Sequence, residues 1–457
     1  MLARLSARLA DVAQRVVPDP FVIALALTLV SFALGLLVMP EADPVALAAG
    51  WFERFSATTT WAFTTQMAVI LIAGAVLASA PAVRGVLGRL ADIPRSTRSA
   101  VALTAFVAMS AAFVNWGFGL VVGAVLAREI GVRARAAGRP LDYPLVGAAG
   151  YTGLMVWHGG LSGSAPLKVT EGTPATSLLP QGGPPIPVDE SLFSGLNLGV
   201  TLGLLVFVPW LMSRMVNPER EVVPDGPRLV GDDARSEPPD GERHPMLGRL
   251  LGLAIVVLGA LALSAQVSGD QSWYRALSLN VVILVLLMAG LALFGTPLRY
   301  GRAYLASVPE AGGILLQFPF YFGILGILQA SGMVELLATR SADMARGLST
   351  VGLPLGWCFD VVTFLSAGLV NLFVPSGGGQ WAVQGTILAE AAGELELPLS
   401  RAVMALAYGD EWTNMLQPFW ALALLGITGL KARDILGYTL TVMLASLVVY
   451  FGAFALL

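Results

Sequence analysis

Four clusters of polar residues interrupt apolar stretches of this chain, and their residue types limit the chemistry available. Asn115 and Gly117 belong to FVNWGFG, residues 113–119. His158, Ser162 and Ser164 belong to WHGGLSGS, residues 157–164. Asn371, Ser376, Gly377 and Gly378 belong to VNLFVPSGGG, residues 370–379, and Asp410, Glu411, Thr413 and Asn414 to YGDEWTN, residues 408–414. The amides of Asn115 and Asn371 can donate to an anion, or each can cap the helix that its own segment breaks. Ser376 with Gly377 to Gly379 offers a hydroxyl and a run of backbone N–H groups, either an anion nest or a tight turn. The imidazole of His158 can donate to a carboxylate or carry a proton near neutral pH. Asp410 and Glu411 are adjacent acids in an apolar segment, where each charge costs about 2.5–3.5 kcal/mol on the insertion scale. Neighbours on a helix point about 100° apart, so one acid faces the site and the other pairs with an Arg or with unwound backbone. Together these groups offer donors for an anion and acids that can carry a proton or ligate a cation. Ser162, Ser164, Thr413 and Asn414 are the supporting hydroxyl and amide candidates.

Other chemistries find less support. His158-Gly159-Gly160 and Ser162 are esterase-like, but no G-x-S-x-G elbow is present, and the His and Ser lie on one segment rather than on distant elements. No Walker A sequence occurs, so this chain does not itself drive transport with ATP. A single cysteine, Cys358, excludes an intramolecular disulfide and a multi-cysteine metal site. No cofactor is expected. The net charge of −3, without a basic patch, gives no support for nucleic-acid binding.

The elements that must hold these residues follow from composition. Of 457 residues, 56% are hydrophobic and 12% charged, about half the charge of a soluble domain. The chain therefore reads as an all-α polytopic membrane protein. The first 20 residues form an amphipathic lead-in without a signal-peptide cleavage pattern. Spans are expected at 21–38, 64–80, 195–212, 247–263, 276–293, 312–330 and 438–454, with 40–62 as a loop. Two further spans, 143–165 and 401–427, are broken at their polar clusters. Two segments read as re-entrant hairpins, about 99–130 and 356–393, because glycine, asparagine and proline at their centres cannot continue a helix. Basic residues flank the first hairpin on both sides (Arg84, Arg89, Arg95, Arg98; then Arg128, Arg133, Arg135, Arg139), which places both its ends in the cytoplasm. The expected total is nine spans and two hairpins, with an internal N-terminus and an external C-terminus.

The order of span, hairpin, broken span and plain span occurs twice, in residues 1–214 and 247–457, separated by a polar cytoplasmic linker at 215–246 that is expected to be largely unstructured. Val114-Asn115 matches Val370-Asn371 at the hairpin tips. Paired broken segments in an inverted repeat are the signature of secondary transporters, with the site at the midplane.

FVNWGFGLVVG, GYTGLMVWHGGLSGSAPL, NLFVPSGGGQWAVQG and AYGDEWTNMLQPFWALALLGITGLKARDI resemble the short-chain fatty acid transporter family, over nearly the whole chain. That family is grouped with divalent anion–sodium symporters and aminobenzoyl-glutamate transporters. The resemblance implies a homodimer in the bacterial inner membrane, a fixed scaffold domain, a mobile transport domain and elevator-type alternating access. Its substrates would be short-chain fatty acids or similar monocarboxylates. The Ser-Asn-Thr tips of the sodium–dicarboxylate members are absent here, so sodium coupling does not carry over; Asp410, Glu411 and His158 point instead to proton symport. The alternatives are another small organic anion with sodium coupling, Na+ being held near Asn115 and Asn371, an intramembrane hydrolase, or a passive channel.

Overall fold

The computed structural model describes residues 20–38, 42–170, 185–224, 245–266, 276–372, 377–417 and 420–457. Ser376, the lead-in 1–19 and most of the linker (225–244) lie outside them. The described residues are helical apart from turns and one isolated bridge between Leu141 and Val222.

The chain opens with α1 (Pro20–Val38), α2 (Pro44–Ser56), α3 (Thr58–Ser79) and α4 (Pro81–Ala91). The expected loop at 40–62 is thus mostly helix, and the second span starts six residues early. Its start signal is Asp43-Pro44: the Asp43 carboxylate accepts from Val45 N at 3.2 Å and Ala46 N at 3.0 Å, and proline suits the first helical position. The same logic, Thr296 before Pro297, starts the helix Pro297–Ser307.

Next come α5 (Thr97–Val114) and α6 (Trp116–Ala136), separated by Asn115 alone, whose extended backbone turns the chain back along itself. The open ends of this pair meet, with Arg139 donating to Pro94 O at 2.9 Å. A broken segment follows: α7 (Tyr143–Tyr151), a 3-10 turn at Thr152–Met155, irregular chain, then α8 (Ser164–Lys168). The break starts five residues before the expected octet. α9 (Gly195–Ser213) completes the first half. The first residues of the linker pack onto the helices: Asn217 caps a 3-10 turn at Pro218–Arg220, Val222 pairs with Leu141, and Arg220 donates to Tyr438 Oη at 3.0 Å.

The second half contains α10 (Pro245–Gln266), α11 (Leu279–Phe294), α12 (Pro297–Ser307), α13 (Gly312–Ala330) and α14 (Met333–Ser349). The helical pair α15 (Leu355–Asn371) and α16 (Gly377–Glu394) follows, then α17 (Leu399–Thr413), a 3-10 turn at Asn414–Leu416, α18 (Ala421–Thr428) and α19 (Ala432–Leu456). Among the described residues six helices are long and apolar enough to cross a membrane: α3, α5, α9, α10, α13 and α19. The broken segments are built of pieces too short for that criterion.

The second break is displaced from the expected 408–414. α17 stays helical through Thr413, and the chain leaves the helix at Gln417, whose ψ of 125° is what the following Pro418 enforces. Gly409 is not a hinge. A Cβ there would lie 2.8 Å from the Ala367 side chain and closer still to Phe364 O, so Gly409 lets α17 press against α15.

The core runs through both halves. α13 packs against α1, α2 and α3, and α3 against α11. At the α2–α13 crossing a Cβ at Gly50 would lie 2.8 Å from Gly326 O, so the backbones touch, and Arg54 donates to Gln329 Oε1 at 2.9 Å. A second group comprises α5, α6, α7 and α9 with α15, α17, α18 and α19. Between the two groups lie the contacts of α3 with α6, α13 with α16 and α8 with α11.

Candidate functional site

The two 3-10 turns touch one another. Tyr151, the last residue of α7, donates its hydroxyl to Asn414 O at 3.0 Å and Gln417 O at 2.9 Å, so the first break binds the exposed carbonyls of the second. Breaking a helix leaves such backbone groups without intrahelical partners. Here each break supplies what the other lacks.

His158 and Asp410 join the same two segments. His158 Nδ1 lies 2.9 Å from Asp410 Oδ2, with both side chains buried. Ala165 N donates to His158 Nε2 at 3.1 Å, and Ser164 Oγ lies 3.2 Å from the same nitrogen. Because Nε2 accepts, the ring proton belongs on Nδ1 and is donated to the Asp410 carboxylate. The other carboxylate oxygen, Asp410 Oδ1, is buried with no partner among the described residues. Glu411 points elsewhere and takes the unwound backbone: its Oε2 accepts from His158 N at 3.1 Å, Gly159 N also bonds it, and Tyr450 Oη is 3.4 Å from Oε1.

The hairpin tips are anchored differently. Asn115 Oδ1 accepts from Phe118 N at 2.8 Å, a cap on α6, while its Nδ2 is buried without a partner among the described residues. Asn371 Nδ2 donates to Asp410 O at 2.7 Å and to Thr413 Oγ1 and Asn414 Oδ1, each at 3.0 Å. Gln417 Nε2 donates to Asn371 O. Three buried oxygens of this neighbourhood, Asn371 Oδ1, Asp410 Oδ1 and Gln417 Oε1, have no donor among the described residues.

Beside this network lies a cleft enclosing about 350 Å³ including its mouth. Trp116, Trp157, Trp420 and Phe318 wall it, and Ser164, Asn414, Gly377 and Gly378 form its polar side; among the described residues no ionisable side chain lines it. Trp157 stacks on His158 with centroids 4.5 Å apart and planes 8° from parallel. Trp116 packs on both Trp157 and Trp420, at 5.9 and 5.1 Å. Gly378 lets α16 pack closely on Phe63 of α3, since a Cβ there would collide with that ring.

A family model described as short chain fatty acid transporter matches residues 1–457. The chain belongs to this family. It is a multi-pass membrane transporter and not an enzyme. Similar members of the family are known from two bacteria. A protein of Escherichia coli (strain K12), named provisionally as a short-chain fatty acid transporter, is 37% identical over 98% of both chains. Its counterpart in Haemophilus influenzae, named in the same way, is 35% identical over 97% of both. Among solved structures the fold is similar to the Alcanivorax borkumensis YdaH transporter (TM-score 0.58, 16% identity, covering 96% of this chain and 97% of that one). It is also similar to Neisseria gonorrhoeae MtrF, described as illuminating a class of antimetabolite efflux pumps (TM-score 0.52, 13% identity, covering 98% and 97%). At these identities the likeness concerns the fold alone.

In this family member, Ser164, Asn414, Gly377 and Gly378 line the cleft, whereas the other expected site residues that are described do not line it. Ser162 Oγ accepts from Trp116 N at 3.2 Å and braces the first tip. Gly117 packs against Leu71 of α3. Thr413 Oγ1 binds Gly368 O at 3.1 Å and holds α17 to α15. Sequence reasoning passed over Trp116, Trp157 and Trp420, because tryptophan in an apolar run is indistinguishable from core. It also passed over Asn197, whose Nδ2 donates to Gly159 O and Leu192 O, each at 2.7 Å, and whose Oδ1 accepts from Tyr408 Oη at 3.1 Å. A lone amide in the apolar run 195–212 was the available signal.

Proposed function

We propose that this protein is a secondary active carrier for short-chain fatty acids or similar small monocarboxylates, with the cleft as the substrate site and the His158–Asp410 pair as the coupling site. The observation that carries this reading is the buried His158–Asp410 bond, which spans the two breaks and sits against the cleft through the Trp157 stack. An aromatic wall opposite a polar side suits an acid with a short apolar tail. The names of both curated relatives support the same substrate class.

The coupling argument is electrostatic. An anion crossing alone carries a charge through a low-dielectric barrier, whereas an anion with a proton crosses as a neutral pair. Asp410 Oδ1, buried and without a partner, is the acceptor available to that proton. The matching order of hairpin, broken segment and plain helix in each half supports an inverted repeat. In it the group containing α5–α9 and α15–α19 would move as the transport domain against a scaffold of α1–α3 and α10–α13, by an elevator-type displacement in a homodimer. A second reading has its own support: Asn371 Oδ1, Asp410 Oδ1 and Gln417 Oε1 form a set of hard oxygen donors for Na+.

Uptake of labelled butyrate into proteoliposomes under an imposed pH gradient, or an imposed sodium gradient, tests both readings in the parent and in Asp410→Asn. Proton coupling predicts accumulation that follows the pH gradient and disappears in Asp410→Asn. Accumulation that follows sodium and ignores pH moves the assignment to the oxygen set. Failure of the parent to transport any monocarboxylate overturns the functional reading.

A further inference from the structure

Among the described residues no ionisable side chain lines the cleft, so a carboxylate entering it must be met by neutral donors. Ser164 is already engaged with His158 Nε2, and the Asn414 oxygen accepts from Asn371, which leaves the Asn414 amide nitrogen as a donor. Gly377 and Gly378 open α16, and the first N–H groups of a helix have no partner within it. Those groups supply a backbone edge but no selectivity of their own.

Trp157 is different. Its side chain lines the cleft, the residue is 7% exposed, and its indole Nε1 is buried with no hydrogen-bond partner among the described residues. Indole nitrogen is a donor only, and a buried tryptophan ordinarily finds an acceptor for it. An unmet donor at the wall of a cleft whose substrate is read as an anion identifies the missing acceptor. The stack on His158 also fixes the ring, so the donor is positioned before the substrate arrives. Trp116 and Trp420, packed edge to face at 5.1 Å, bound the apolar remainder of the space.

We propose that Trp157 is a specificity-determining residue whose indole N–H binds the substrate carboxylate, and that Trp116 and Trp420 form the stop that limits tail length. The assignment rests on the reading of this cleft as the carboxylate site. Two consequences follow. A dicarboxylate is rejected because its second charge would face indole and phenyl walls with no donor. The tail ends at Trp420, which Trp116 braces, so enlarging that end admits longer acids.

The test uses full-length protein in proteoliposomes with butyrate, hexanoate, octanoate and succinate as substrates. Trp157→Phe keeps an aromatic ring for the His158 stack and removes the N–H. It should raise the KM for butyrate about tenfold or more, the value of a hydrogen bond to a charged group, with the maximal rate changed little. Should the smaller ring perturb folding, benzothienylalanine at position 157 replaces N–H by sulfur at nearly constant shape and should give the same KM shift. Trp420→Ala should shift the preference from butyrate toward hexanoate or octanoate while leaving succinate excluded. An unchanged butyrate KM in both position-157 variants overturns the donor assignment, and an unchanged chain-length profile in Trp420→Ala overturns the stop. A parent that carries no monocarboxylate refutes the underlying functional reading instead, so the two failures are distinct.

Discussion

Asp410 and Glu411 are neighbours in sequence with separate predicted duties, and substitution at Glu411 separates them. The Glu411 carboxylate accepts from two consecutive backbone N–H groups, His158 and Gly159, at a point where the first broken segment has no helix to satisfy them. Glu411→Ala leaves two buried donors without an acceptor. At about 1–3 kcal/mol each, the cost is roughly 2–6 kcal/mol. Glu411→Gln keeps one carbonyl oxygen, whose two lone pairs can serve both N–H groups, while its amide can turn toward the Tyr450 hydroxyl. The expected cost falls to about 1–2 kcal/mol. Thermal denaturation of the purified protein in detergent should therefore order the variants as parent, Gln, Ala, with the larger gap between Gln and Ala. At a temperature where all remain folded, Glu411→Gln should retain gradient-driven accumulation. Asp410→Asn should lose accumulation yet keep the parent's stability more nearly. Equal stability of the Ala and Gln variants, or coupling lost in Glu411→Gln and kept in Asp410→Asn, would refute the division of labour.

Cysteines placed at Ser96 and Gly138 should be labelled by an impermeant reagent from the same side of the membrane, because the Arg139–Pro94 bond brings the ends of the α5–α6 pair together; labelling from opposite sides contradicts a re-entrant hairpin. Asn371→Ala should reduce uptake by at least about tenfold, since it removes three hydrogen bonds to the second break; Asn115→Ala should also reduce uptake, at a stability cost near 1 kcal/mol for the lost cap on α6. Gly378→Val should abolish uptake and lower the thermal stability, because a Cβ there would strike the Phe63 ring and wedge α16 away from α3; parent-like uptake and stability would show that this close approach is not needed.

Much of this arrangement is legible in the residues. The all-helical class follows from apolar run lengths, and both helical pairs from their asparagine- and glycine-bearing centres. The pairing of an acid with the unwound backbone follows from the 100° between adjacent helical residues. What escaped has physical causes. The helix at 44–56 combines polar and apolar residues, so a search for spans passed over it although Asp43-Pro44 announced its start. The second break lies at Gln417 rather than within 408–414, because a glycine pressed against a neighbouring helix, as Gly409 is, and a glycine that opens one look alike in sequence. The partnership of His158 with Asp410 spans 252 residues, and no local pattern encodes a contact of that range. The tryptophan walls needed coordinates, since only geometry distinguishes lining from packing.

The crossing of α2 and α13 bears on how the protein is made. Gly50 and Gly326 bring two backbones into contact, and Arg54 binds Gln329, 275 residues downstream. A ribosome adding about 5–20 residues per second needs roughly 14 to 55 s to reach the second partner. Throughout that interval α2 presents a groove sized for a helix that does not yet exist, with an arginine lacking its glutamine. The first-made part of the protein is therefore completed by nearly the middle of the second half, and a nascent chain halted in the linker cannot hold its native form. Biogenesis thus depends on keeping this early surface covered in the membrane until α13 arrives, a task for the insertion machinery or for lipid.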